Sequence, residues 1–167
     1  MIAITKKNYL LTNRITNNKK IFNIITKQIP RSIFTILDAD LFNKIIKDKV
    51  IEVFVIKKKN KIVSVISVIK NKNYIFLKKE IFFYFLTKPY KLLLNIFFII
   101  AMFGRSSSNI KSSNDKNYLH LLHLVIFKNY FKSISLKKKD EIINFFLRKI
   151  IKKYDAKYFY LCYERDN

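Results

Sequence analysis

Apolar residues along the chain fall into two rhythms, and each rhythmic stretch predicts an element. Tyr9–Ile15 (YLLTNRI) reads as a first strand, after which Thr16-Asn17-Asn18 offers a helix cap. Lys19–Gln28 sets Ile21, Ile24 and Ile25 at the spacing of one helix face, and Pro30 ends that helix. Ser32–Lys47 carries a second helical pattern through Ile33, Leu37, Leu41 and Ile45. Val50–Ile56 (VIEVFVI) and Ile62–Ile69 (IVSVISVI) are β-branched runs on either side of a polar turn, Lys57–Lys61. Asn60 can take positive φ in that turn without glycine, so the two runs predict a β-hairpin. Ser64 and Ser67, inside the second run, read as small packing residues.

The second half follows the same logic. Tyr74–Phe103 is apolar and aromatic and is broken at Lys88-Pro89, which predicts helices around Lys78–Leu86 and Tyr90–Phe103, with Gly104 as a terminator. Arg105–Asn117 (RSSSNIKSSNDKN) is polar and reads as a flexible loop. Tyr118–Ile126 (YLHLLHLVI) reads as a strand and Phe127–Ser135 as a connector. Leu136–Tyr154 is an amphipathic helix and Lys157–Tyr163 (KYFYLCY) a last strand. A strand–loop–helix–strand unit of this kind sets its two strands parallel. The whole reads as one domain over residues 1–167 of the α/β (α+β) class, a mixed, mostly antiparallel sheet flanked by helices.

Composition changes this picture little. Lys and Arg number 34 against 11 Asp and Glu, a formal charge of +23. Such charge invites a phosphate-backbone partner. However, the chain also holds 28 Ile, 16 Asn and 1 Gly, and AT-rich codons produce that profile without selection for a ligand. The runs Lys57–Lys59 and Lys137–Lys139 are short and read first as a turn and a solvated helix face, although Lys132 with Lys137–Lys139 reads equally as a site that attracts an anion. The single Cys cannot form an internal disulfide, so a reducing, cytoplasmic setting is expected. No secretory signal is expected, because Met1–Thr5 is too short for an apolar signal core. Leu92–Phe103 falls short of the ~20 residues of a spanning helix. It reads instead as buried or interfacial.

The element order and several local motifs resemble the GNAT family of acetyl-CoA-dependent N-acyltransferases, from about Tyr9 to Asn167. In that family a strand with a Leu-x-Val-like end runs into a loop Gln/Arg-x-x-Gly-x-Gly/Ala that opens a long helix. Here Leu124-Val125 precedes Lys128-Asn129-Tyr130-Phe131-Lys132-Ser133-Ile134-Ser135, with Ser133 and Ser135 at the glycine positions and Tyr130 at the Gln/Arg position. Tyr163-Glu164-Arg165-Asp166-Asn167 is similar to the family's hydrophobic-x-x-Asp-Asn strand end. KNKIVSVIS resembles its "KIVG" strand, with Ser64 for Gly, and YLLTNRIT its first strand.

The resemblance implies transfer of an acyl group from acetyl-CoA, or another acyl-CoA, to an amine by direct attack, with no metal and a parallel strand pair at the cofactor cleft. It implies cofactor contacts at His123, Leu124, Val125, Phe131, Lys132, Ser133, Ile134, Ser135, Leu136 and Asn167. Backbone N–H groups and a helix N-terminus would meet the pyrophosphate there. His120 and His123 are the candidate bases; three apart on a strand, they are expected on opposite faces. Cys162 stands where some relatives carry a carboxylate and reads as an inert thiol. The family continues past the Asn with a helix and strands bearing a Tyr acid, so a shortened or inactive domain is expected. Its open sheet edge would suit a second copy or a complementing chain. The alternative is a non-enzymatic basic protein that binds nucleic acid or an anionic membrane through Leu92–Phe103; both partners rank below acyl-CoA.

Overall fold

The structure, a computed structural model, describes residues 3–6, 8–13, 15, 17–29, 38–94, 96, 100, 117–127 and 135–161. Its strands are β1 (Ala3–Lys6), β2 (Tyr9–Thr12), β3 (Glu52–Lys58), β4 (Lys61–Lys70), β5 (Leu119–Ile126) and β6 (Phe159–Leu161). Its helices are α1 (Asn18–Gln28), α2 (Ala39–Lys47), α3 (Tyr74–Thr87), α4 (Pro89–Leu94) and α5 (Leu136–Lys153), with a 3-10 turn at Asn71–Asn73. The fold is mixed α and β. Strands β1 to β5 form an antiparallel sheet in chain order, and β6 lies beside β5 in parallel register from Leu119↔Phe159 to Leu121↔Leu161.

The strands sort their side chains between two cores. Val53, Val55, Val65, Ile69 and Val125 meet α1, α2 and α3 on one face. Leu11, Phe54, Ile56, Ile66, Val68 and Leu121 meet α5 on the other. Strands β3 and β4 are thus covered on both sides, which is why their sequences are nearly continuous in apolar residues. Three helices start on side-chain caps that accept an orphan backbone N–H: Asn17 from Lys20 at 2.8 Å, Asp38 from Leu41 at 3.0 Å and Ser135 from Lys138 at 3.4 Å.

The hairpin forms as expected: Lys59 and Asn60 both take positive φ, 47° and 62°, the combination a two-residue turn of matching twist requires. Other boundaries move. β2 ends at Thr12 and not Ile15, and Ala3–Lys6 adds an unforeseen edge strand paired with it. The Ser32–Lys47 helix is not continuous, because Asp38 is extended (φ −93°, ψ 170°) and starts α2 as its cap. α3 opens four residues before Lys78, directly from the 3-10 turn. The expected second helix of the apolar stretch is described as Pro89–Leu94. Of the 105–117 loop only Asn117 is described; its backbone carbonyl accepts from Lys157 N at 3.0 Å, tying the entries of β5 and β6 together.

Candidate functional site

Strand β5 carries most of the candidate chemistry, and its geometry turns on one residue. The β4–β5 register pairs Ser67 with His123 but Val68 with Leu121, so Leu122 is the extra residue of a β-bulge. The bulge resets the alternation. His120 pairs with Ile69, whose side chain lies in the core beneath α1–α3. His123 pairs with Ser67, which shares that face with Val65 and Ile69. The two histidines therefore face the same layer, and the expectation of opposite faces fails because it assumed an unbroken strand.

Both imidazoles are buried. His120 stacks on Tyr74 at 4.7 Å between ring centroids, meets Tyr118 edge-on at 5.1 Å, and brings Nε2 within 3.4 Å of Asn71 Oδ1. Burial pushes its pKa down to about 4 and that of His123 down to about 3. At neutral pH both are uncharged and weakly basic. The two serines of β4 differ. Ser64, fully buried, donates its hydroxyl to the Val125 carbonyl at 2.8 Å. Ser67, also fully buried, has no hydrogen-bond partner for its hydroxyl oxygen among the described residues.

Leu124 and Val125 lie on β5 beyond the bulge, past the three residues that pair with β6. Ser135 caps α5, and Leu136, its first residue, is exposed. Helix geometry leaves the N–H groups of Leu136 and Lys137 without an intrahelical acceptor, and Lys137, Lys138 and Lys139 add charge in the same turn. Tyr130, Phe131, Lys132, Ser133, Ile134, Cys162 and Asn167 lie outside the described residues, as do Arg14 and Gly104.

A feature unforeseen in the sequence adjoins this end of β5. The polar face of α1 and Phe127, the residue after β5, bound an open groove of about 490 Å³. Lys19, Lys20 and Lys27 line it with Asn17, Asn23 and Gln28. α1 contains no acid at all, and that was the legible signal. A second groove, of about 320 Å³, lies near the opposite end of the sheet and mixes Glu52 and Asp48 with Lys49, Lys70 and Lys72. There Glu52 accepts from Lys153 at 2.9 Å, so β3 is tied to the last turn of α5. Among the described residues no group of three or more His, Cys, Asp or Glu is placed to hold a metal ion. No protein-family model, no curated protein and no solved structure matches the chain.

Proposed function

We propose that the chain is an acyl-CoA-dependent N-acyltransferase domain of the GNAT type, with its cofactor cleft at the outgoing end of β5, ahead of α5. The observation that carries this reading is the strand order. Six strands run in chain order, the fifth is bulged at Leu122, and the chain returns through α5 to a sixth strand parallel to the fifth. The helix-covered crossover brings the N-terminus of α5 and the outgoing end of β5 close in sequence, a common arrangement for binding a phosphorylated ligand.

In this reading the N–H groups of Leu136 and Lys137 meet phosphate oxygens, and β5 past the bulge offers main-chain bonds to the acyl-bearing arm. Lys19, Lys20 and Lys27 raise the local concentration of the polyanionic cosubstrate. The amine nitrogen attacks the thioester carbonyl carbon, the C–S bond breaks as the C–N bond forms, and the amine proton reaches the sulfur through water. His120 and His123 serve as packed neutral rings on the scaffold side of β5, since burial makes them poor bases.

Titration calorimetry with acetyl-CoA tests the reading. Saturable binding is expected, and its absence at millimolar ligand removes the proposal. The double change Lys137→Glu with Lys138→Glu should weaken that binding. It should also stabilise the ligand-free chain by about 0.3–1 kcal/mol per site, because carboxylates suit a helix N-terminus better than ammonium groups do. Opposite signs in calorimetry and thermal melting distinguish this from simple damage to α5.

A further inference from the structure

Helix α3 is apolar on every side, yet only part of it is buried. Leu77, Ile81, Tyr84 and Phe85 point into the core shared with α1 and α2. Ile75, Phe76, Phe82, Phe83 and Leu86 point outward, and each is more than half exposed. At 100° per residue these five occupy one continuous arc of roughly 120°, in which Lys79 is the single charge. Tyr90 and Leu93 of α4, also mostly exposed, extend the surface. A contiguous apolar face of this size marks an interaction site.

The charges around the face select the partner. From Asn71 to Lys91 the chain carries Lys72, Lys78, Lys79, Lys88 and Lys91 against one acid, Glu80. Glu80 is already bound by Lys44 of α2, and Asp38 on the neighbouring turn is held by Lys88 and Lys91. The face is therefore apolar around one central charge, Lys79, with further lysines flanking it. A second copy of the chain would set lysines against lysines. An anionic bilayer satisfies both parts: rings and aliphatic groups enter the acyl boundary, and ammonium groups lie at the headgroups.

We propose that the outward face of α3, continued by α4, rests on an anionic lipid surface with the helix axis in the membrane plane. The 14 residues of α3 span about 21 Å, short of the ~30 Å hydrocarbon core. Its opposite face is committed to the sheet. Among the described residues no helix is long and apolar enough to cross a membrane. The surface stands on observations separate from those behind the acyl-transfer reading and survives its failure.

The chain has no Trp, so Phe83→Trp supplies a sole indole reporter on the face. With full-length protein and vesicles of phosphatidylcholine plus phosphatidylserine, its emission should shift to the blue and be quenched by brominated acyl chains. Vesicles of phosphatidylcholine alone should leave it unchanged. The triple variant Phe76→Ser, Phe82→Ser, Leu86→Ser should lose vesicle partitioning by about tenfold or more, since each removed group contributes burial in the interface. Its melting temperature should not fall. An unshifted indole overturns the proposal, and undiminished vesicle binding by the triple variant assigns the affinity to lysines alone. A lipid-independent dimer that the triple variant dissociates assigns the face to a second copy.

Discussion

Asp38 does several jobs with one carboxylate. One oxygen caps α2, and the other accepts from Tyr84 at 3.1 Å and from Lys88, joining α2 to α3 and the turn after it. Burial pushes its pKa up, but the bonds from Lys88, the Leu41 N–H and Tyr84 outweigh that and hold it down to about 2. The stabilisation is present above the ordinary carboxylate range and is lost as pH falls toward 2. Asp38→Ala should cost about 0.5–2 kcal/mol from the cap alone, read as a lower urea midpoint at pH 7, with the difference from wild type shrinking in acid.

The buried histidines act in a neighbouring window. Their folded pKa values lie below the unfolded value, so the unfolded chain takes protons first and stability falls as pH drops from about 6.5. Their ring resonances should show no titration between pH 5 and 8 in NMR; a midpoint near 6.5 for either would mean that its ring is solvated. The serines permit a sharper comparison. Ser64→Ala should lose about 0.5–1.5 kcal/mol with its bond to Val125, whereas Ser67→Ala should be neutral or stabilising, because it removes a buried hydroxyl without a partner. Thermal melts of the two variants side by side check this.

Among the elements, α5 has the plainest energetic role. Among the described residues it is the one helix on its face of the sheet, and Phe146 at its centre is fully buried against that face. Phe146→Ala should cost about 3–5 kcal/mol, a large share of the ~5–15 kcal/mol typical of a domain, seen as a displaced chemical denaturation curve. This helix was legible from Ile142, Ile143, Phe146 and Ile150 at 3.6-residue spacing, and the hairpin from its β-branched runs and Asn60. β1 was not, because four half-exposed residues carry no periodicity strong enough to register. The bulge left a trace in HLLH, where two adjacent leucines break the alternation at Leu121-Leu122. A strict period of two hides such a slip, and the placement of both histidines goes wrong with it. The outward face of α3 could not be assigned from sequence either, since a helix apolar all round does not say which side meets the sheet.

For the whole molecule, the charge of +23 is a liability that the fold tolerates. Few carboxylates are available, and several are already engaged, Asp38, Glu52 and Glu80 each by a lysine. Like charges on the compact state repel, and salt screens them over a Debye length of about 10 Å at 0.1 M. The melting temperature should therefore rise with sodium chloride over the low-salt range.

The strand order also bears on how the chain is made. Each strand from β2 to β5 pairs with the one synthesised before it, but two waits are long: residues 13–51 separate β2 from β3, and residues 71–118 separate β4 from β5, the longer of the two. At about 5–20 residues per second on the ribosome, that interval is a matter of seconds. Throughout it, β4, whose central residues Val63–Ile69 are all buried in the finished sheet, has one hydrogen-bonding edge open. The apolar α3 is emerging in the same interval. Nascent-chain holdases or an early lipid contact would have their strongest hold on the polypeptide during those seconds.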